Sequence, residues 1–232
     1  MNRLLFVTLS NIGDLVLSTP ALMALHAAYP SALIDIVADR RSSALLRESP
    51  FLGTLHHRDK AEGVPGMLRL LRELRRTRYE AVVDLRTDWM PHLLRCERYS
   101  TRRVSRAVGP HSAEQHFQVA SRVLVEPQDI PAPKVWVDQH SLEEAKSMLR
   151  SSPDRRLAVA PGANWPGKRW PVERFIGFVR AVAQRFDSLV VLGGPADEVA
   201  AEELCDAAPL PAANLAGRTN LLQAAAALGE CH

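Results

Sequence analysis

Three short segments carry residue types suited to chemistry on a charged substrate. The first is Ser10-Asn11-Ile12-Gly13-Asp14, lying between an apolar run and a helix-length segment. The junction of a strand with a helix is where an open α/β sheet presents its ligand crevice. Gly13 permits a tight turn or a positive φ there, and the helix macrodipole favours the charge of Asp14. A carboxylate so placed can take the proton of an attacking hydroxyl. It can equally cap the helix, because Asp is among the preferred N-cap residues.

The second segment, Pro161 to Pro171, reads PGANWPGKRWP. Backbone donors freed by Gly162, the positive end of the following helix and the charge of Lys168 suit a diphosphate. The competing reading is a rigid loop pinned by Trp165 and Trp170, with Lys168 solvated. The third segment, Gly193-Gly194-Pro195-Ala196-Asp197, allows close backbone approach. Asp197 can there accept hydrogen bonds from ribose hydroxyls, or cap a helix.

The elements that must position these segments follow from periodicity. Apolar runs at Leu4–Thr8, Leu33–Ala38, Leu52–His56, Ala81–Leu85 and Val104–Val108 read as strands. Between and after them come helix-length stretches at Thr19–Tyr29, Arg40–Glu48, Gly66–Arg78, from Met90, and at Ala113–Leu124. The β-α rhythm predicts a parallel sheet covered by helices on both faces. Three prolines between Glu126 and Lys134 suggest a linker. After a helix at Ser141–Arg150 the rhythm restarts, with strands at Leu157–Ala160, Leu189–Leu192 and Asn214–Ala216. The helices of this part are expected at Val172–Phe186, Ala196–Ala207 and Asn220–Gly229. The predicted domains are 1–130 and 131–232.

Composition narrows the function classes. A net charge of +3 spread over 29 basic and 26 acidic residues fits an anionic ligand rather than a surface that coats nucleic acid. Three widely spaced cysteines, Cys96, Cys205 and Cys231, predict a reduced, cytoplasmic setting. The stretch 15–29 contains Pro20 and His26 and falls short of the ~20 apolar residues that span a bilayer. The first loop holds one glycine instead of G-x-G-x-x-G, which argues against a dinucleotide-dependent dehydrogenase. Neither an Asp-x-Asp pair nor an HExxH spacing occurs, so no metal and no cofactor is predicted.

In combination, NIGDLVLSTP at 11–20, VVDLR at 82–86, PGANWPGKRWP, GGPAD and NLAGRTNL at 214–221 resemble the lipopolysaccharide heptosyltransferases of glycosyltransferase family 9. The type most resembled is heptosyltransferase II. The resemblance implies two Rossmann-like domains of GT-B type. It also implies inverting, metal-independent transfer of heptose from ADP-heptose to the inner core of lipopolysaccharide. Asp14 falls on the family's general base, in the N-terminal loop that serves the donor sugar, and Gly13 joins the donor side. Lys168 falls on the lysine that meets the donor diphosphate, with Gly162, Ala163 and Asn164 on the phosphate loop. Asp197 takes the place of the acidic residue that holds the ribose, and Thr219 lies by the adenine pocket. Ser10, Asn11, Arg58 and Lys60 are the expected acceptor-side residues, since an anionic acceptor needs basic partners. The arginines from Arg69 to Arg78 read instead as a solvated helix face. That basic surface fits peripheral contact with an anionic inner membrane.

The family also carries an Asp-Thr-Gly-Pro-x-His segment, and the chain ends before it. The C-terminal domain is therefore expected to be truncated. The alternative expectations are a catalytically silent sugar-nucleotide-binding protein, or another GT-B enzyme such as a sugar-nucleotide epimerase.

Overall fold

The structure, a computed structural model, describes residues 2–232 apart from 60, 107–108, 125–128 and 164. The chain divides into two compact units, Met1–Trp136 and Val137–His232. The first contains β1 (Arg3–Val7), α1 (Ile12–Ala28), β2 (Leu33–Ala38), β3 (Leu52–His57), α2 (Gly63–Leu74), β4 (Arg78–Asp84) and β5 (Arg95–Thr101). It closes with a single turn, α3 (Arg102–Ser105), and α4 (Ser112–Ser121). Its five strands are all parallel, in the order β3-β2-β1-β4-β5.

The central strands are almost wholly apolar because both faces of the sheet are covered. Leu5 and Val7 of β1 pack with Val37, Val82 and Tyr79 against Leu70, Leu71 and Leu74 of α2. Leu4 and Phe6 alternate to the opposite face and are equally buried. One polar knot lies inside this core. Asp35 of β2 pairs with Arg3, accepts the backbone N–H of Thr54 at 2.6 Å and accepts the hydroxyl of Tyr79 at 3.1 Å. A Cβ at Gly53 would press on the Asp35 carboxylate, so glycine is needed where the β2–β3 register shifts.

α1 begins at Ile12, before the helix-length stretch expected from Thr19, and carries Pro20 within it. Proline ordinarily starts a helix because it strands the carbonyl four residues earlier. Here that carbonyl, of Val16, receives the Thr19 hydroxyl at 2.7 Å, and the helix passes through. The expected strand at Val104–Val108 is corrected. The fifth strand is Arg95–Thr101, and Val104 stands in α3, its N–H bound to Thr101 Oγ1 at 3.2 Å. β5 is an edge strand with one neighbour, so it tolerates a charged sequence that masks its period. Its Arg98 pairs with Glu80 and its Glu97 with Arg78 across β4, each at 3.3 Å. The stretch 40–48 forms only a 3-10 turn, Ser43–Leu46, where the hydroxyls of Ser42 and Ser43 bond back to carbonyls three residues earlier.

The first unit extends past residue 130. Lys134 N–H donates to Thr19 Oγ1 at 2.9 Å and Trp136 N–H to the Leu45 carbonyl at 3.2 Å, while Trp136 sets its ring edge-on to Phe51.

The second unit has α5 (Gln139–Met148), β6 (Arg156–Val159), α6 (Val172–Val182), β7 (Ser188–Val191), α7 (Glu198–Ala207), β8 (Ala212–Asn214) and α8 (Leu221–Gly229). Its sheet is parallel, in the order β6-β7-β8. Alternation along β7 builds two cores. Leu189 and Val191 face Val179 of α6 and Leu204 of α7, while Val190 faces Ala145 of α5 and Ala227 of α8.

Candidate functional site

Parallel pairing brings every strand-to-helix loop of the first unit to one edge of its sheet. Val7 stands beside both Val37 and Asp84, Val37 beside His56, and Asp84 beside Thr101. The segments leaving these positions contain Ser10 to Asp14, Asp39 to Arg41, Arg58 and Asp59, Arg86, and Arg102. Ser10, Asn11, Gly13 and Asp14 thus lie at the same edge as Arg58. Lys60 lies outside the described residues.

Asp14 is not the helix cap. The N-cap position belongs to Asn11, and Asp14 is three residues into the helix. Asn11 Nδ2 donates to Asp14 Oδ2 at 2.9 Å, and Oδ1 carries no hydrogen bond among the described residues. One carboxylate oxygen is held by a neighbouring amide while the other stays open. Gly13 has helical backbone and not a positive φ, so conformational freedom does not explain it. A Cβ built there would meet nothing within 4 Å, so the glycine leaves space over the first turn of α1.

Sequence reasoning missed His116. It is buried on α4 and its Nδ1 lies 3.3 Å from the Leu17 carbonyl. Burial lowers its pKa; the Leu17 carbonyl and the charge of Asp14 oppose that shift and the charge of Arg102 adds to it. A histidine on a polar-looking helix gives no local sign of such a neighbourhood.

A second group forms where β2, β3 and β4 end. Asp39 Oδ1 accepts both the backbone N–H and Nε of Arg41, each at 3.1 Å. Burial works against its charge, yet these bonds hold the carboxyl below its ordinary value. Asp84 is fully buried, and burial pushes its pKa up. Its Oδ1 accepts the N–H groups of Arg86 and Thr87 at 2.9 and 2.7 Å, and its Oδ2 accepts the Thr87 hydroxyl. The VVDLR segment thus closes a turn with its carboxylate and projects Arg86 from it.

In the second unit the same geometry gathers the loops after β6, β7 and β8. A Cβ at Gly162 would collide with the Asp197 carboxylate, and one at Gly193 would lie 2.9 Å from Asp197 Cβ. Asp197 is therefore enclosed by the two glycine loops. Its Oδ2 accepts the Gly194 N–H at 2.9 Å, and its Oδ1 faces Arg169 at 4.0 Å. Arg169 in turn donates Nε to the Ala163 carbonyl at 2.9 Å. The loop after β8 joins through Gly217, whose N–H bonds the Gly193 carbonyl at 3.0 Å. Gly217 has φ +68°, and a side chain there would collide with Glu198. Thr219 Oγ1 lies 3.5 Å from the Leu215 carbonyl in the loop after β8.

Lys168 ends a 3-10 turn, Pro166–Lys168, and is exposed. Trp165 is 67% and Trp170 48% exposed, and of the two Trp170 sets its ring edge-on to Phe175 of α6 at 5.0 Å. Asn164 lies outside the described residues. Of the predicted residues, Gly162, Ala163, Lys168 and Asp197 share one loop cluster. Arg169, which the sequence reading passed over, links two of these loops, and Glu198 lies against Gly217.

Comparison with known proteins accords with this layout. The model of glycosyltransferase family 9 (heptosyltransferase) matches residues 67–232. Lipopolysaccharide heptosyltransferase 2 of Salmonella typhimurium is 25% identical, over 99% of this chain and 75% of the relative. Lipopolysaccharide heptosyltransferase 3 of Escherichia coli is 26% identical, over 89% and 68% respectively. Among solved structures, a family 9 glycosyl transferase from Veillonella parvula superposes with a TM-score of 0.83 at 20% identity, over 99% of this chain and 74% of that one. The ADP-heptose LPS heptosyltransferase II of E. coli gives 0.76 at 23% identity, over 99% and 77%. Parallel sheets, loop segments and sequence therefore agree: the chain is a glycosyltransferase and belongs to glycosyltransferase family 9, the heptosyltransferase family.

Proposed function

We propose that the chain transfers heptose from ADP-heptose to the inner core of lipopolysaccharide, with Asp14 as general base. The observation that carries this reading is the Asp14 carboxylate, which caps no helix and keeps one oxygen open at the ligand edge of the first sheet. A sugar hydroxyl has a pKa far above 7, so its attack on the anomeric carbon needs a positioned base to take the proton. The hydroxyl oxygen forms the new glycosidic bond as the bond to ADP breaks. Direct displacement inverts the anomeric centre.

Negative charge grows on the departing diphosphate. Lys168 and the backbone donors around Gly162 and Ala163 are the groups assigned to it, and fixed donors of this kind stabilise charge without reorganising. Asp197 and Thr219 are assigned to the nucleoside. With cationic side chains in this role, and no Asp-x-Asp pair in the sequence, the reaction is proposed to be metal-independent. In this reading the units 1–136 and 137–232 act as the acceptor and donor domains of a GT-B enzyme. Ser10, Asn11, Arg58 and Lys60 serve the acceptor. Among the described residues no helix is long and apolar enough to cross a membrane. The proposed location is the cytoplasmic side, in peripheral contact with the inner membrane.

The test is transfer from ADP-heptose to a truncated core acceptor, with product analysis. Asp14→Ala is expected to lower kcat by about 10²–10⁴-fold while ADP binding is retained. Transfer by Asp14→Ala at the wild-type rate would overturn the base assignment. No transfer by the wild-type chain would overturn the reaction.

A further inference from the structure

Arg86 projects from the turn after β4, and both terminal nitrogens of its guanidinium are buried without a hydrogen-bond partner among the described residues. Three of the four oxygens on the nearby carboxylates are occupied. Both oxygens of Asp84 are taken by the turn Arg86–Thr87, and Asp39 Oδ1 is taken by Arg41. Neither carboxylate forms an ion pair with Arg86, though their charges reach it. Arg58 stands close enough for its charge to oppose that of Arg86. Asp39 and Arg58, two of the groups whose charges reach Arg86, line a cavity of about 380 Å³ together with Arg40, Arg41 and Asp59, and Arg86 itself is not part of that lining.

A buried guanidinium without partners is a costly arrangement, and a second cation beside it raises the cost. Structural arginines are normally paired, because all five of their donors lie in one fork. An anion that supplies acceptor oxygens completes this arrangement. A planar fork matches the two oxygens of a carboxylate or phosphate, which a lysine cannot reproduce.

We propose that Arg86, backed by Arg58, is the receptor for one acidic group of the acceptor, a carboxylate or a phosphate. The inference rests on the acceptor-side reading of the first unit and adds to it the residue that makes the specific contact. Arg86 is a binding residue, separate from the base. Its loss raises the KM for an acidic acceptor and leaves the KM for the donor unchanged.

The first test needs no turnover. Inorganic phosphate is titrated into the intact chain at constant ionic strength, with the donor side saturated by ADP, and binding is followed by broadening of the inorganic-phosphate ³¹P line. Arg86→Gln is expected to weaken binding at least tenfold, Arg86→Lys to recover part of it, and Arg75→Gln, on the exposed end of α2, to change nothing. Wild-type affinity in Arg86→Gln, or an equal loss in Arg75→Gln, overturns the proposal. If Arg86→Gln does not fold, Arg58→Gln carries the test, and undiminished phosphate binding there overturns it.

The second test uses transfer to acceptors that have been dephosphorylated or reduced at their carboxylates. The modification that gives the wild type the acceptor KM of Arg86→Gln identifies the docking group. If neither modification does so, the proposal fails. A chain that binds phosphate through Arg86 yet transfers no heptose overturns the reaction and not the subsite.

Discussion

His116 is enclosed where α4 packs on α1, and burial favours its neutral ring. A histidine whose folded pKa lies below the unfolded value of about 6.5 binds fewer protons in the folded state than in the unfolded one. Stability is then fully present above about pH 6.5 and falls as pH drops through that window toward the folded value. His57, at the end of β3, adds to the same slope through burial and the charges of Arg40 and Arg47. Urea unfolding of the wild type and His116→Gln between pH 7.5 and 5.5 measures the effect. The wild type is expected to lose stability over this window, and His116→Gln to lose less. A parallel pH dependence in the two proteins would contradict the assignment.

The segments that hold Asp14, Lys168 and Asp197 stand out at this scale because their residue types are themselves the signal. Arg86 and His116 do not. Their importance comes from burial and from what surrounds them, which no local spacing records.

Among elements, α1 shows how one side chain decides a boundary. Pro20 at its ninth position removes a donor, and the Thr19 hydroxyl compensates while also receiving the N–H of Lys134. Thr19 is fully buried, and Thr19→Val leaves both a carbonyl and an amide without this partner. The expected cost is about 1–3 kcal/mol, the penalty for one buried group left unpaired, because Lys134 is exposed and its amide can turn to water. Thermal unfolding measures this. A melting temperature equal to that of the wild type would show that α1 does not depend on Thr19. The strands of the sheet interior were legible because burial on both faces imposes apolar runs. β5 was not, because an edge strand is free to carry Arg95, Glu97 and Arg98.

Each of the two units is packed around apolar residues of its own. Leu204 of α7 is fully buried in the second. Leu204→Ala is expected to destabilise that unit by about 2–5 kcal/mol. Amide hydrogen exchange should show β6 and β7 losing protection while β1 and β4 keep theirs. An equal loss in both sheets would mean that the units unfold as one.

The amino-acid sequence alone determined the α/β class, the restart of the rhythm after the helix at 141–150 and the loops that carry Asp14 and Lys168. Apolar periodicity and turn residues are local properties, and the chain displays them directly. Only the tertiary structure decided that Asp14 is not a cap, that Asp197 is enclosed by Gly162 and Gly193, and that the terminal nitrogens of Arg86 have no partner among the described residues. Those outcomes depend on strand register, which places side chains from distant segments at one sheet edge and determines which polar groups find each other.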